Sequence, residues 1–201
     1  MYFIWREGEC VMADYGRVKK LTAFVLCGSF ALGIIAGVMC AKMLGAEYRG
    51  GLGTEAVLRV ASGDVSVFCA VAGCMWPVFA AAAAGLTVYC RGVFPFLFFW
   101  RGASLAYGVS VIYGGFSGVR GPLIALGLIA PKNLLIAAGL LVLCMDAYAK
   151  TLGGKRIPEG EQCYVPDGAF YRRSAVAFLL ALCAAGCTYH LGPWICGFGM
   201  I

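Results

Sequence analysis

Two basic side chains stand inside apolar runs, and they are the residues best placed to do chemistry. Arg101 follows the run Phe94-Pro95-Phe96-Leu97-Phe98-Phe99-Trp100, and Lys132 sits between Pro131 and Asn133 in the middle of another. A charge at membrane depth costs about 2.5–3.5 kcal/mol on insertion scales, so it either escapes to an interface or serves a site. No acid lies inside the runs; Asp64 and Asp146 fall at their ends. Two positions are open for Arg101. It reaches headgroup phosphates at the inner interface, with the span starting at Gly102, or it lies inside a bundle. Two are open for Lys132 as well. A kinked helix lets it reach water between helices, or a broken helix lines a site for an anion or a partner's carboxylate.

Cys183, Cys187 and His190 recur at helical spacing on one face of the last apolar run. Thiolate and imidazole are good zinc or copper ligands. Three ligands on one helix without a fourth make no metal site, and none is expected. Eleven cysteines do not make a disulfide framework either, because nine of them lie in or at the ends of apolar runs and no C-x-x-C pair occurs. There they act as small apolar residues. The chain shows no Ser/His/Asp set, no nucleotide-binding glycine loop and no paired intramembrane carboxylates. No catalytic residue and no cofactor is expected.

The elements that hold these residues are set by hydrophobic length. Of 201 residues, 62% are hydrophobic and 13% charged, against about 25% charged in ordinary soluble domains. A helix of about 20 residues crosses the hydrocarbon core. Five stretches qualify: 21–41, 65–90, one within 92–118, 122–145 and 174–196. The fold class is therefore an all-α, polytopic membrane bundle of five spans, the fourth kinked or broken at Pro131. Residues 1–20 read as a cytosolic tail and 21–197 as one transmembrane domain with a cytosolic loop at about 146–173. The first span is longer than a signal-peptide core and reads as retained. Segment 42–64 is glycine-rich with mixed charge and reads as a loop.

Orientation follows from lysine and arginine. With the N-terminus inside, the inner segments hold Arg6, Arg17, Lys19, Lys20, Arg91, Lys150, Lys155, Arg156, Arg172 and Arg173, and the outer ones Lys42, Arg49, Arg59 and Arg120. That division favours a multi-pass protein of the cell membrane, N-terminus inside and C-terminus outside. The net charge of +6 is spent in short loops, and no nucleic-acid partner is expected; membrane lipid is.

Small residues repeat every fourth position in two spans. Span three carries Gly102, Ala106, Ser110, Gly114 and Gly118; span one carries Ser29, Gly33, Gly37 and Ala41. Such stripes let helices approach closely in lipid. They pack within the chain, or one receives a partner's transmembrane helix. Val109 falls off the stripe and reads as lipid-facing.

The stretch 92–145 resembles stage II sporulation protein M, an integral membrane family of endospore-forming bacteria. The resemblance is carried by Phe94-Pro95-Phe96-Leu97, then Arg101-Gly102 and the glycine-spaced helix, then the turn Gly114-Gly115-Phe116-Ser117-Gly118-Val119-Arg120-Gly121, then Pro131-Lys132-Asn133-Leu134-Leu135. Arg101, Gly102, Pro131 and Asn133 are the family-motif positions. Lys132 departs from the pattern, which is uncharged there. The resemblance implies a non-catalytic membrane scaffold for peptidoglycan-degrading machinery in engulfment. Its implied partners are hydrolases similar to stage II sporulation proteins D and P, and its implied place is the mother-cell side of the sporulation septum. The alternative left by the residues is a small-solute transport subunit that binds its ligand between helices.

Overall fold

The computed structural model describes residues 2–86, 90–116, 119–153 and 168–200. Eight α-helices are described: α1 Tyr2–Met43, α2 Ala46–Ala61, α3 Val67–Gly85, α4 Cys90–Gly115, α5 Arg120–Leu128, α6 Ala130–Gly153, α7 Gly168–Gly186 and α8 Gly192–Met200. A five-residue π turn, Cys187–Leu191, joins the last two. Five stretches are long and apolar enough to cross a membrane: Lys19–Met43, Val67–Gly85, Gly92–Gly115, Arg120–Met145 and Gly168–Gly197. Phe24, Phe68, Phe79, Leu134 and Leu179 are among their exposed apolar side chains, as lipid-facing surfaces require.

Helix directions can be read from residue pairs. Gly33 and Gly37 of α1 lie on Phe99 and Ala103 of α4, so these two helices run parallel. α3 runs against α4, with Gly73 at Arg101 and Gly85 near Phe94. α7 runs against α3, through Phe170 at Gly85 and Phe178 at Phe79. α5 and α6 both oppose α4, with Ile129 at Gly108 and Tyr148 at Phe94.

The apolar interior forms two tiers strung along α4. One tier gathers Leu26 of α1, Cys74 and Val78 of α3, Phe94, Leu97 and Phe98 of α4, Ile136 and Leu140 of α6, and Ala177 and Ala181 of α7. The other gathers Val57 of α2, Ile112 of α4, Ile124 and Ala125 of α5, and Cys196 of α8. Val109, partly buried, packs against this second tier.

Segment 42–64 is not a loop. Most of it is α2, which lies antiparallel on α4, with Gly53 against Val111 and Gly50 beside Gly114. Glycines lower helix propensity, but here they let two backbones touch, and that contact holds the helix. Gly53 and Val57 are buried while Glu55 and Arg59 pair at 2.6 Å on the exposed face. Gly63, with φ of 71°, makes the turn into α3; only glycine takes that conformation without strain.

At three other boundaries the helices run on beyond the apolar spans or sharpen them. Residues 2–20 continue α1, since they contain no proline to stop it. Span three, expected within 92–118, is found at Gly92–Gly115 and does not wait for Gly102: Phe94, Leu97 and Phe98 belong to the core, and Pro95 falls in the second turn of α4, where few backbone bonds are lost. Residues 146–153 extend α6, and 154–167 lie outside the described residues.

Candidate functional site

Between the two tiers every descending or ascending path except α1 and α4 is interrupted. α2 turns into α3 at residues 62–66. α5 breaks from α6 at Ile129. α7 loosens into the π turn before α8. The physical causes are local. Pro131 lacks the N–H that Gly127 would receive, and it sits in the first turn of a new helix, where that bond is not needed. Pro193 likewise leaves Tyr189 without a donor, and the preceding turn widens.

A groove of about 370 Å³ opens at this level, lined by Arg101, Ser104 and Tyr107 of α4, Lys132 and Asn133 of α6, and Thr188 of the π turn, with Val60, Leu128 and Ile129 as apolar walls. Asn133 stabilises the break, because its backbone N–H and its Nδ2 both donate to the Ile129 carbonyl, at 3.1 and 2.9 Å. The Thr188 hydroxyl donates back to Ala184 at 2.8 Å, the usual way a hydroxyl is satisfied in an apolar helix. A second, smaller groove beside the π turn is lined by Gly63, Val65, Tyr189 and His190.

Arg101 lies inside the bundle. It is 8% exposed, so the interfacial position open to it in the sequence is not the one it takes. Its Nη2 donates to the Gly73 carbonyl at 3.3 Å, and its buried Nε has no partner. Lys132 is half-buried on the same groove. Neither makes an ion pair with a carboxylate among the described residues.

The small-residue stripes meet each other. A side chain added at Gly33 would strike the Phe99 carbonyl, one at Gly37 the Ala103 carbonyl, and one at Gly102 the Phe30 carbonyl. Ala106 is buried one turn further along. Beyond it the stripe opens: Ser110 and Gly114 line a groove of about 240 Å³ with Lys42, Arg49 and Tyr113. Gly118 lies outside the described residues.

Of the family-motif positions, Arg101 and Asn133 share the central groove, Gly102 sits in the α1–α4 seam and Pro131 is exposed. Among the described residues no group of three or more His, Cys, Asp or Glu could hold a metal; Cys183 and His190 are both exposed. Sequence reasoning missed Gly73, although Pro77 four residues on marks its carbonyl as one without a helical donor. It also missed Ser104, Tyr107 and Thr188, which carry no spacing signal. Comparison with known protein families, characterised proteins and solved structures returns no match.

Proposed function

We propose that the chain is a non-catalytic membrane scaffold for peptidoglycan-degrading enzymes, of the kind that acts in engulfment during endospore formation. The observation that carries this reading is spatial. Arg101 and Asn133, from the two separate runs behind the sporulation-protein resemblance, share one groove. Hydrophobic composition alone gives no reason for distant motif residues to converge.

With the N-terminus inside, α2 packs on the outer half of α4, toward the side where peptidoglycan is. Its exposed face presents Glu47, Tyr48, Glu55 and Arg59, and it is the docking surface in this reading. In an endospore-forming host, deletion stops membrane migration around the forespore while vegetative growth continues, and the hydrolases lose their septal position. Normal engulfment after full deletion would end the scaffold reading. Replacing 51–57 by a linker is a poor test of docking, since Gly53 and Val57 are buried. Charge reversal of Glu47 and Glu55 together leaves the packed face intact and removes the docking charge.

A small-solute transport subunit is the second reading, favoured by the cation-lined groove. Its test is uptake of labelled anions by vesicles containing the protein and its membrane partners.

A further inference from the structure

We propose that the groove between the two tiers binds a phosphate oxyanion, held between Arg101 and Lys132. Its source is a phospholipid headgroup or free inorganic phosphate. The inference rests on neither reading above, because it concerns what binds and not what the binding serves.

Two cations line one groove, and among the described residues no carboxylate pairs with either. Arg101 is 8% exposed, and a guanidinium carries five N–H donors in a planar fork. One donor is given to Gly73 and the buried Nε has no partner. Burying a charge in this way is costly unless it is paired. Lys132 adds a second positive charge on the same groove. Like charges sharing a low-dielectric space repel, and an anion between them reverses the sign of the interaction.

The rest of the lining fits the same chemistry. Ser104 and Tyr107 bring hydroxyl donors that make no bond within the described structure. Lys132 stands in the first turn of α6, which Asn133 fixes through its bonds to Ile129. Arginine's fork matches phosphate better than lysine's point charge does. The volume of about 370 Å³ exceeds one phosphate, and the Val60, Leu128 and Ile129 wall suits an apolar portion attached to it.

The test uses the full chain purified in a neutral maltoside detergent. Thermal unfolding is followed while inorganic phosphate replaces chloride at constant ionic strength. In a second arm, native mass spectrometry and unfolding compare dioleoyl phosphatidylglycerol with diolein, which has no phosphate. The expected result is a rise in unfolding temperature with phosphate or with phosphatidylglycerol, and none with diolein. In Lys132→Gln the apparent dissociation constant rises about tenfold or more, the size of one charge-assisted hydrogen bond. In Arg101→Gln the response is lost. Lys42→Gln, on the other groove, keeps it. A response to phosphate alone assigns a soluble anion; a response confined to phosphatidylglycerol assigns a lipid headgroup. Should Arg101→Gln fail to fold, Lys132→Gln decides by itself. Folded wild-type protein that responds to neither probe overturns the proposal, as does a response that survives Lys132→Gln unchanged.

Discussion

Arg101 donates from Nη2 to the carbonyl oxygen of Gly73, 3.3 Å away on α3. That oxygen is the one that Pro77, four residues on, cannot serve. Pro77 lies inside α3, so the helix itself offers that oxygen no amide. A charge on one helix thus completes the backbone of its neighbour. The bond explains why a helix interrupted by proline stays continuous here, and why an arginine is tolerated at this depth.

The pair predicts a coupling. Arg101→Met removes the donor and strands the Gly73 carbonyl. In a Pro77→Ala background Gly73 regains a helical amide, so Arg101→Met is expected to cost less by about 1–2 kcal/mol. Unfolding of the four chains in mixed micelles by added dodecyl sulfate measures the difference. Strictly additive costs would show that the two residues do not share this oxygen.

The seam between α1 and α4 predicts a gradient along the stripes. Gly37→Leu and Gly33→Leu drive a side chain into the Ala103 and Phe99 carbonyls. Backbone cannot step aside as a side chain can, so the loss exceeds the usual overpacking range of about 1–3 kcal/mol and the protein fails to accumulate. Gly114→Leu is milder. What it meets is the Arg49 side chain, with Nε at 2.8 Å, and a flexible arginine can swing away. Ile35→Leu, on an exposed position of α1, is neutral. Membrane-fraction blots of all four variants rank them, and a Gly114→Leu loss as deep as Gly37→Leu would contradict the geometry.

Asn133 holds the break between α5 and α6, with its Nδ2 on the Ile129 carbonyl at 2.9 Å. Asn133→Ala is expected to lose about 1 kcal/mol, the worth of one such bond. Asn133→Asp keeps the size but offers no donor while ionised, and it places an anion beside Lys132. Under the anion-site proposal that carboxylate occupies the groove, so phosphate no longer raises the unfolding temperature. An undiminished phosphate response in Asn133→Asp counts against the site.

What the sequence reveals and what it hides divide along range. The five spans are legible because crossing a bilayer needs a fixed length of apolar helix, and that length is written locally. The break near Pro131 is legible because proline acts on its own turn. α2 is hidden, because its glycines look like a loop until α4 is there to touch them. The depth of Arg101 is hidden too: a run of aromatics beside an arginine resembles an interfacial belt, and only the packing of Phe94, Leu97 and Phe98 moves it inward. Pro77 announces a free carbonyl at Gly73, but nothing in the sequence says that residue 101 will cap it. The packing of Val109 is hidden for the same reason, since the second tier it meets draws on three other helices, α2, α5 and α8.

Sidedness is the last prediction. α1 and α4 run parallel while α3, α5 and α6 oppose them, so the start of α2 and the end of α6 belong to opposite ends of the bundle. In the orientation that the division of lysine and arginine favours, Cys163 is expected on the cytosolic side. Labelling needs a chain without its other cysteines. Cys74, Cys144 and Cys196 are buried and are best replaced by alanine, which leaves the smallest void without a new polar group. In that background an impermeant maleimide applied to intact cells labels Glu47→Cys but not Cys163, and it labels Cys163 once the cells are permeabilised. Labelling of Cys163 in intact cells would invert the orientation and move α2 away from the peptidoglycan side. Labelling of both positions from one side would break the alternating order of the spans itself.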